Sequence, residues 1–197
     1  IGAAYKTGIP EGSRTEIWRP NGEGSLMGVV SITGDTILPL IYKKVAIGSR
    51  VLVGVKNDTA FIFNRDGKFI SQFSKVHGCE VLNNNLLVLE KHGAMALAHS
   101  SGKLLSKFRY YRIKDFRYST ATVPVKNDIY GTAIAPDIYP GYVQVDDDYL
   151  GHGGGLLDTT GKIVLQNKYQ RFDMNRNGWF ILEKYNSQTE LVDNNFK

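Results

Sequence analysis

The chain has 197 residues, 42% of them hydrophobic and 22% charged, a globular balance that excludes a disordered polymer. Its 24 Lys and Arg against 19 Asp and Glu leave a net charge of +5, which suits an anionic partner but falls short of a dedicated nucleic-acid binder. The single cysteine, Cys79, excludes an intrachain disulfide, and no apolar run reaches the roughly 18 to 20 residues that a membrane-spanning helix needs.

In chain order, the N-terminal segment 1–26 opens with IGAAYKTGIPEG, which lacks the charged-then-apolar pattern of a signal peptide. The start at Ile1 without methionine leaves a processed or trimmed N-terminus open, and with it the compartment. TEIWR (15–19) supplies apolar residues for one strand. Then come four stretches that align without a gap: GVVSITGDTILPLIY (28–42), FIFNRDGKFISQFSK (61–75), ALAHSSGKLLSKFRY (96–110) and GLLDTTGKIVLQNKY (155–169). Their turn glycines are Gly34, Gly67, Gly102 and Gly161, three of them followed by lysine (Lys68, Lys103, Lys162). Eight residues on stands a tyrosine in three copies (Tyr42, Tyr110, Tyr169), with Lys75 the exception, and eleven residues on an apolar side chain returns as Val45, Ile113 and Phe172.

Each copy has a second half, SRVLVGVKND (49–58), NNLLVLEKHG (84–93), TATVPVKND (120–128) and GWFILEKYN (178–186), with a lysine at Lys56, Lys91, Lys126 and Lys184. The glycine spacing is 33, then 35, then 59 residues, which places an insertion after Asp128. The units run over about 28–58, 59–92, 93–128 and 155–186, with a partial unit at 187–197 where Leu191, Val192 and Asp193 copy Leu156, Leu157 and Asp158.

Short aliphatic and β-branched runs on both sides of a polar, glycine-centred turn describe a β-hairpin. Three residues before the glycine stand Ser31, Asn64, His99 and Asp158, mostly short polar side chains suited to bonding the loop backbone. The run after the hairpin adds a strand, and no stretch sustains helical spacing with caps. A three-stranded unit of about 34 residues cannot bury its own apolar face, so neighbours must stack or fan around an axis.

The four stretches resemble the WG-type repeats, whose unit runs Gly-Leu-Ile-Asp-x-x-Gly-Lys-x-apolar-apolar-x-x-x-Tyr. GLLDTTGKIVLQNKY fits almost residue for residue, GVVSITGDTILPLIY lacks the Asp and Lys, and the units at Phe61 and Ala96 are degenerate. The resemblance covers about 28–128 and 155–197, implies a propeller-like interaction module, and carries no catalytic residue to transfer. The fold expected is an all-β, propeller-like array of three-to-four-stranded antiparallel units, about five blades, the last completed by both chain ends.

Enzymatic readings fare less well. GHGGGLLDTTGK (151–162) lacks the phosphate-loop spacing, since Lys162 is followed by Ile163 and no helix follows. Its HGGG resembles an oxyanion loop without a nucleophile elbow. Cys79 beside His77 is a nucleophile only if a base approaches, and a buried thiol is the commoner case. Trp18 and Trp179 are expected in the core or between units.

Binding residues are sought instead in two places. The insertion 129–154 gathers Tyr130, Tyr139, Tyr142 and Tyr149 with Asp146, Asp147 and Asp148, and reads as a projecting tyrosine-rich contact loop. Asp146, Asp148 and His152 are candidate ligands for a cation, although consecutive carboxylates on a strand alternate faces. The strip 103–118 alternates Lys103, Lys107, Arg109, Arg112, Lys114 and Arg117 with Phe108, Tyr110, Tyr111 and Tyr118. The expected function is a non-enzymatic protein-interaction module or assembly subunit without a cofactor, binding through Tyr139, Tyr142, Tyr149, Arg109, Tyr111, Arg112, Lys114 and Arg117. An anionic glycan or nucleic acid is the alternative partner, and a propeller-type hydrolase or carbohydrate-active enzyme using carboxylates at Asp146–Asp148 is the alternative class.

Overall fold

A computed structural model describes residues 15–18, 26–118, 137–147, 154–174 and 179–193. Every regular element among them is a strand, and every strand pairing is antiparallel. The chain is an all-β repeat of the propeller-like class. It divides into two compact units, 1–109 and 110–197.

The first unit holds three sheets in chain order. Strands β1 (Thr15–Trp18), β2 (Met27–Ser31) and β3 (Thr36–Tyr42) form one; β4 (Lys44–Ile47), β5 (Val51–Lys56), β6 (Thr59–Asn64) and β7 (Phe69–Ser74) form a four-stranded meander; β8 (Gly78–Val81), β9 (Leu87–Lys91) and β10 (Ala94–Ala98) form a third, extended by a bridge from Ala98 to Leu104. The meander's central strands are buried on both faces because side chains alternate. Leu52 and Phe63, cross-strand partners, pack with Val29, Leu38 and Tyr42 of the first sheet. Their neighbours Val53 and Ile62 face the other way, onto Cys79, Leu87, Leu89 and Ala98 of the third. Full burial of each such aliphatic side chain contributes about 1.5–3 kcal/mol. No sheet has two dry faces of its own, so each depends on the next.

The sheets are offset from the sequence repeats by half a unit. The second half of one repeat (β4, β5) pairs with the hairpin of the next (β6, β7). This follows from loop length: Lys56 to Thr59 is bridged by Asn57–Asp58, both at positive φ, a two-residue hairpin turn that obliges β5 to pair with β6.

The second unit holds β11 (Arg112–Tyr118), β12 (Asp137–Asp146), β13 (Gly154–Asp158), β14 (Ile163–Met174), β15 (Phe180–Lys184) and β16 (Thr189–Val192), joined in that order as six strands. Strand β14 explains the count. Up to Tyr169 it pairs with β13 in the register that β3 uses against β2, and beyond Tyr169 it pairs with β15 as β4 does with β5. Two blade-like sheets are thus fused through one long strand, with a register shift at Tyr169/Arg171. The core beneath combines Phe116, Leu156, Leu165, Tyr169, Phe180 and Leu182.

Half of the insertion differs from the projecting loop expected of it. Asp137–Asp146 is a ten-residue strand seated between β11 and β13. Val143 and Val145 are buried while Gln144 between them is not, and this two-residue alternation draws the segment into the sheet. Strand β1 finds its partner in β2, and β16 in β15.

Candidate binding surfaces

The repeated turns come first, because they hold the most motif-like residues. In GLLDTTGK the Asp158 carboxylate accepts hydrogen bonds from the backbone N–H groups of Thr160 (2.9 Å) and Lys162 (3.0 Å) and from the Thr160 hydroxyl (2.6 Å). Gly161 follows at φ +85°, and its N–H donates to the Asp158 carbonyl. Ser31 Oγ accepts likewise from the N–H groups of Thr33 and Asp35, and Asn64 Oδ1 from those of Asp66 and Lys68. These are three-residue loops in which the side chain closes what the backbone leaves open. Burial raises the Asp158 pKa, but the bonds from Thr160 and Lys162 and the Lys162 charge outweigh it and hold the carboxyl below its ordinary range. Lys162 faces solvent.

The repeat tyrosines are structural too. Tyr42, Tyr110 and Tyr169 are all buried. The Tyr42 ring lies over Gly54, where a Cβ would come within 2.4 Å of it. Tyr169 donates its hydroxyl proton to Glu190 (3.0 Å), which also accepts from the repeat lysine Lys184. Burial and then the Glu190 bond raise the Tyr169 pKa, and the same carboxylate raises that of Lys184.

The candidate residues of the insertion separate. Tyr139 lies within β12, Tyr130, Tyr149, Asp148 and His152 lie outside the described residues, and Tyr142 is half-buried with its ring 5.7 Å from Phe180 and 6.5 Å from Phe116. Asp146 is 3% exposed and directly opposite Arg112 across the β11–β12 pair. Arg112 Nε donates to Asp146 Oδ2 at 2.7 Å and Nη2 sits 2.6 Å from the same oxygen. A carboxylate taken up in this way is a structural anchor for the sheet. Among the described residues, no group of three or more His, Cys, Asp or Glu is arranged to hold a metal ion.

The basic strip divides at the boundary of the two units. Lys103, Lys107 and Arg109 are exposed in the first. In the second, β11 stands at the edge of its sheet among the described strands, with Ile113 and Phe116 buried, Arg112 and Lys114 exposed, and Tyr111 exposed just before it. Arg117 and Tyr118 lie at its end.

Residues 155–186 match the family model described as the WG containing repeat. This segment is a WG repeat. The Asp158 loop and the buried Tyr169 therefore mark the WG unit as scaffold. No curated protein matches the chain. Solved structures similar to this chain include Kluyveromyces lactis Hsv2, at 11% identity and a TM-score of 0.48, covering 94% of this chain and 60% of that one. A protein of unknown function from Bacteroides caccae shares 11% identity at a TM-score of 0.33, with 94% and 92% covered. PorZ, from the type-IX secretion system of Porphyromonas gingivalis, shares 11% identity at a TM-score of 0.38, with 77% and 20% covered. The chain thus spans under two thirds of the Hsv2 length, and these remote likenesses assign no function. Among the described residues no helix is long and apolar enough to cross a membrane.

Two groups flagged in the sequence settle differently. Cys79 is buried, and burial followed by the charge of Glu80 pushes its thiol up to about 12. His77 does not approach it as a base but places Nδ1 3.1 Å from Asp58 Oδ1. That contact belongs to an open cleft of about 530 Å³ that the sequence did not single out, lined by Asn57, Asp58, Lys75, His77, Lys91 and His92 with Thr59 and Ser74. It forms where three turns meet, so no local spacing announces it.

Proposed function

We propose that the protein is a non-enzymatic interaction module that captures an acidic protein partner along β11. The observation that carries this reading is the edge position of β11 among the described strands, with Lys114 exposed on it and Tyr111 exposed just before it. An edge offers backbone donors and acceptors to an incoming extended segment, lysine selects acidic neighbours, and tyrosine buries large area at low entropic cost. Arg112 contributes charge at the surface while it anchors Asp146. The insertion supports the site by backing β11 with β12. Asp146 is buried and taken up by Arg112, which favours a structural role over the carboxylate-enzyme alternative.

The test is affinity capture from the native source with wild-type protein and with the double variant Tyr111→Ala/Lys114→Glu. The proposal expects a specific partner that the variant fails to retain at an unchanged melting temperature; equal retention by both would contradict it. Replacing the whole of 131–152 would be uninformative, since it removes Val143 and Val145 from the sheet.

A further inference from the structure

The one repeat that breaks the tyrosine rule is the one that builds the cleft. Where Tyr42, Tyr110 and Tyr169 are buried, the second repeat has Lys75, at φ +60°. Lysine gains nothing from the left-handed region, which costs a non-glycine residue about 1 kcal/mol or more. Six non-glycine residues among those described have positive φ, and four of them, Asn57, Asp58, Lys75 and His92, line this cleft. Asn57–Asp58 and His92–Gly93 are tight hairpin turns that tolerate the conformation, whereas Lys75 sits in the link between β7 and β8. That link is fastened to both hairpins: the Val76 N–H donates to the Asp58 carbonyl (2.9 Å) and the His77 N–H to the Glu90 carbonyl (2.8 Å). The geometry is therefore set before any ligand arrives.

Every lining residue carries a polar side chain, two ammonium groups, two imidazoles, the Asn57 amide and the Ser74 and Thr59 hydroxyls against one carboxylate, and their stems contribute apolar wall between these groups. Asp58 is turned onto His77 Nδ1, which orients the ring and leaves Nε2 directed elsewhere. His92 stands edge-on to His77 with ring centroids 5.0 Å apart, and Lys91 Nζ is steadied over the Phe108 ring at 5.9 Å. No arginine lines the cleft, so the forked geometry that recognises a planar carboxylate is absent from the lining. Compact ammonium charges and hydroxyls approaching from three turns suit a tetrahedral oxyanion.

We propose that this cleft is a binding site for a phosphate or sulfate group carried by a small polar molecule, with Lys75 and Lys91 as its principal contacts and His77 and His92 completing the wall. It shares no residue with the β11 edge.

The test is calorimetric and NMR titration of the full chain with inorganic phosphate, inorganic sulfate, glucose 6-phosphate and a sulfated heparin disaccharide, each against chloride of matched ionic strength. Expected is saturable binding that perturbs the amides of 57–59, 74–77 and 91–93, with the tighter ester deciding between phosphate and sulfate carriers. Lys75→Gly is expected to raise the melting temperature, by relieving the positive φ, while weakening binding about tenfold or more; Lys91→Gln should weaken it similarly. The control pair Lys68→Gln/Lys103→Gln, exposed elsewhere, should change nothing. Absence of saturable binding by all four probes, or equal binding by Lys75→Gly, Lys91→Gln and wild type, would overturn the proposal.

Discussion

At Asp158 one carboxylate closes three hydrogen bonds across a three-residue loop. Asp158→Ala should cost about 1–2 kcal/mol at pH 7, the worth of exposed bonds to a charged acceptor, read from denaturant melts. Because its folded pKa is depressed, its contribution is fully present above the ordinary carboxylate range near pH 4 and fades as pH falls through the lower folded value. The wild-type and Asp158→Ala stabilities should therefore converge in acid; a gap constant down to pH 2 would contradict the assignment. Gly54→Ala should destabilise by about 1–3 kcal/mol, since its Cβ would meet the Tyr42 ring at 2.4 Å. Cys79, its thiol pushed to about 12 under burial, should alkylate at pH 8 at least ~100-fold more slowly in the native protein than in denaturant. The turn residues were legible in the sequence because four copies hold the same chemistry at the same offset. The proposed significance of Lys75 was not, since an exception in an alignment becomes a candidate site only when Asn57 and His92 are brought beside it and its neighbour His77 from other turns.

Among the elements, the hairpins around Gly34, Gly67 and Gly161 were readable from aliphatic runs flanking a polar turn, whereas the Gly102 turn is followed by a single bridge from Ala98 to Leu104 instead of a strand. Sheet membership was not. A repeat fixes the order of strands but leaves open where one sheet ends, and that is decided by the two-residue turn at Asn57–Asp58 and by the break between β3 and β4 that β14 lacks. Strand β12 escaped detection because Pro140 and Gly141 interrupt a run whose Val143 and Val145 nevertheless complete the alternation between β11 and β13. Strand β16 holds Glu190, which receives Tyr169 and Lys184, and Val192 on the core. Deleting 189–197 should accordingly lower the melting temperature by several degrees, measured by circular dichroism; an unchanged value would mean that β16 adds nothing to its sheet.

For the whole molecule, the repeat gives the most motif-like residues a structural role. A polar side chain three residues before the glycine and the glycine itself recur in all four hairpins, and the tyrosine in three of them, because the turns and the packing beneath them use these groups; the proposed binding chemistry lies where the pattern is broken, at the β11 edge and at Lys75. The net charge of +5 agrees with anionic partners at both places without deciding between them. The most direct measurement of this division is partner capture and thermal melting run side by side on Asp158→Ala and on Tyr111→Ala/Lys114→Glu. The account predicts that the first variant melts earlier but retains the partner below its transition, and that the second loses the partner without melting earlier. Loss of the partner by folded Asp158→Ala, with full retention by the double variant, would contradict it.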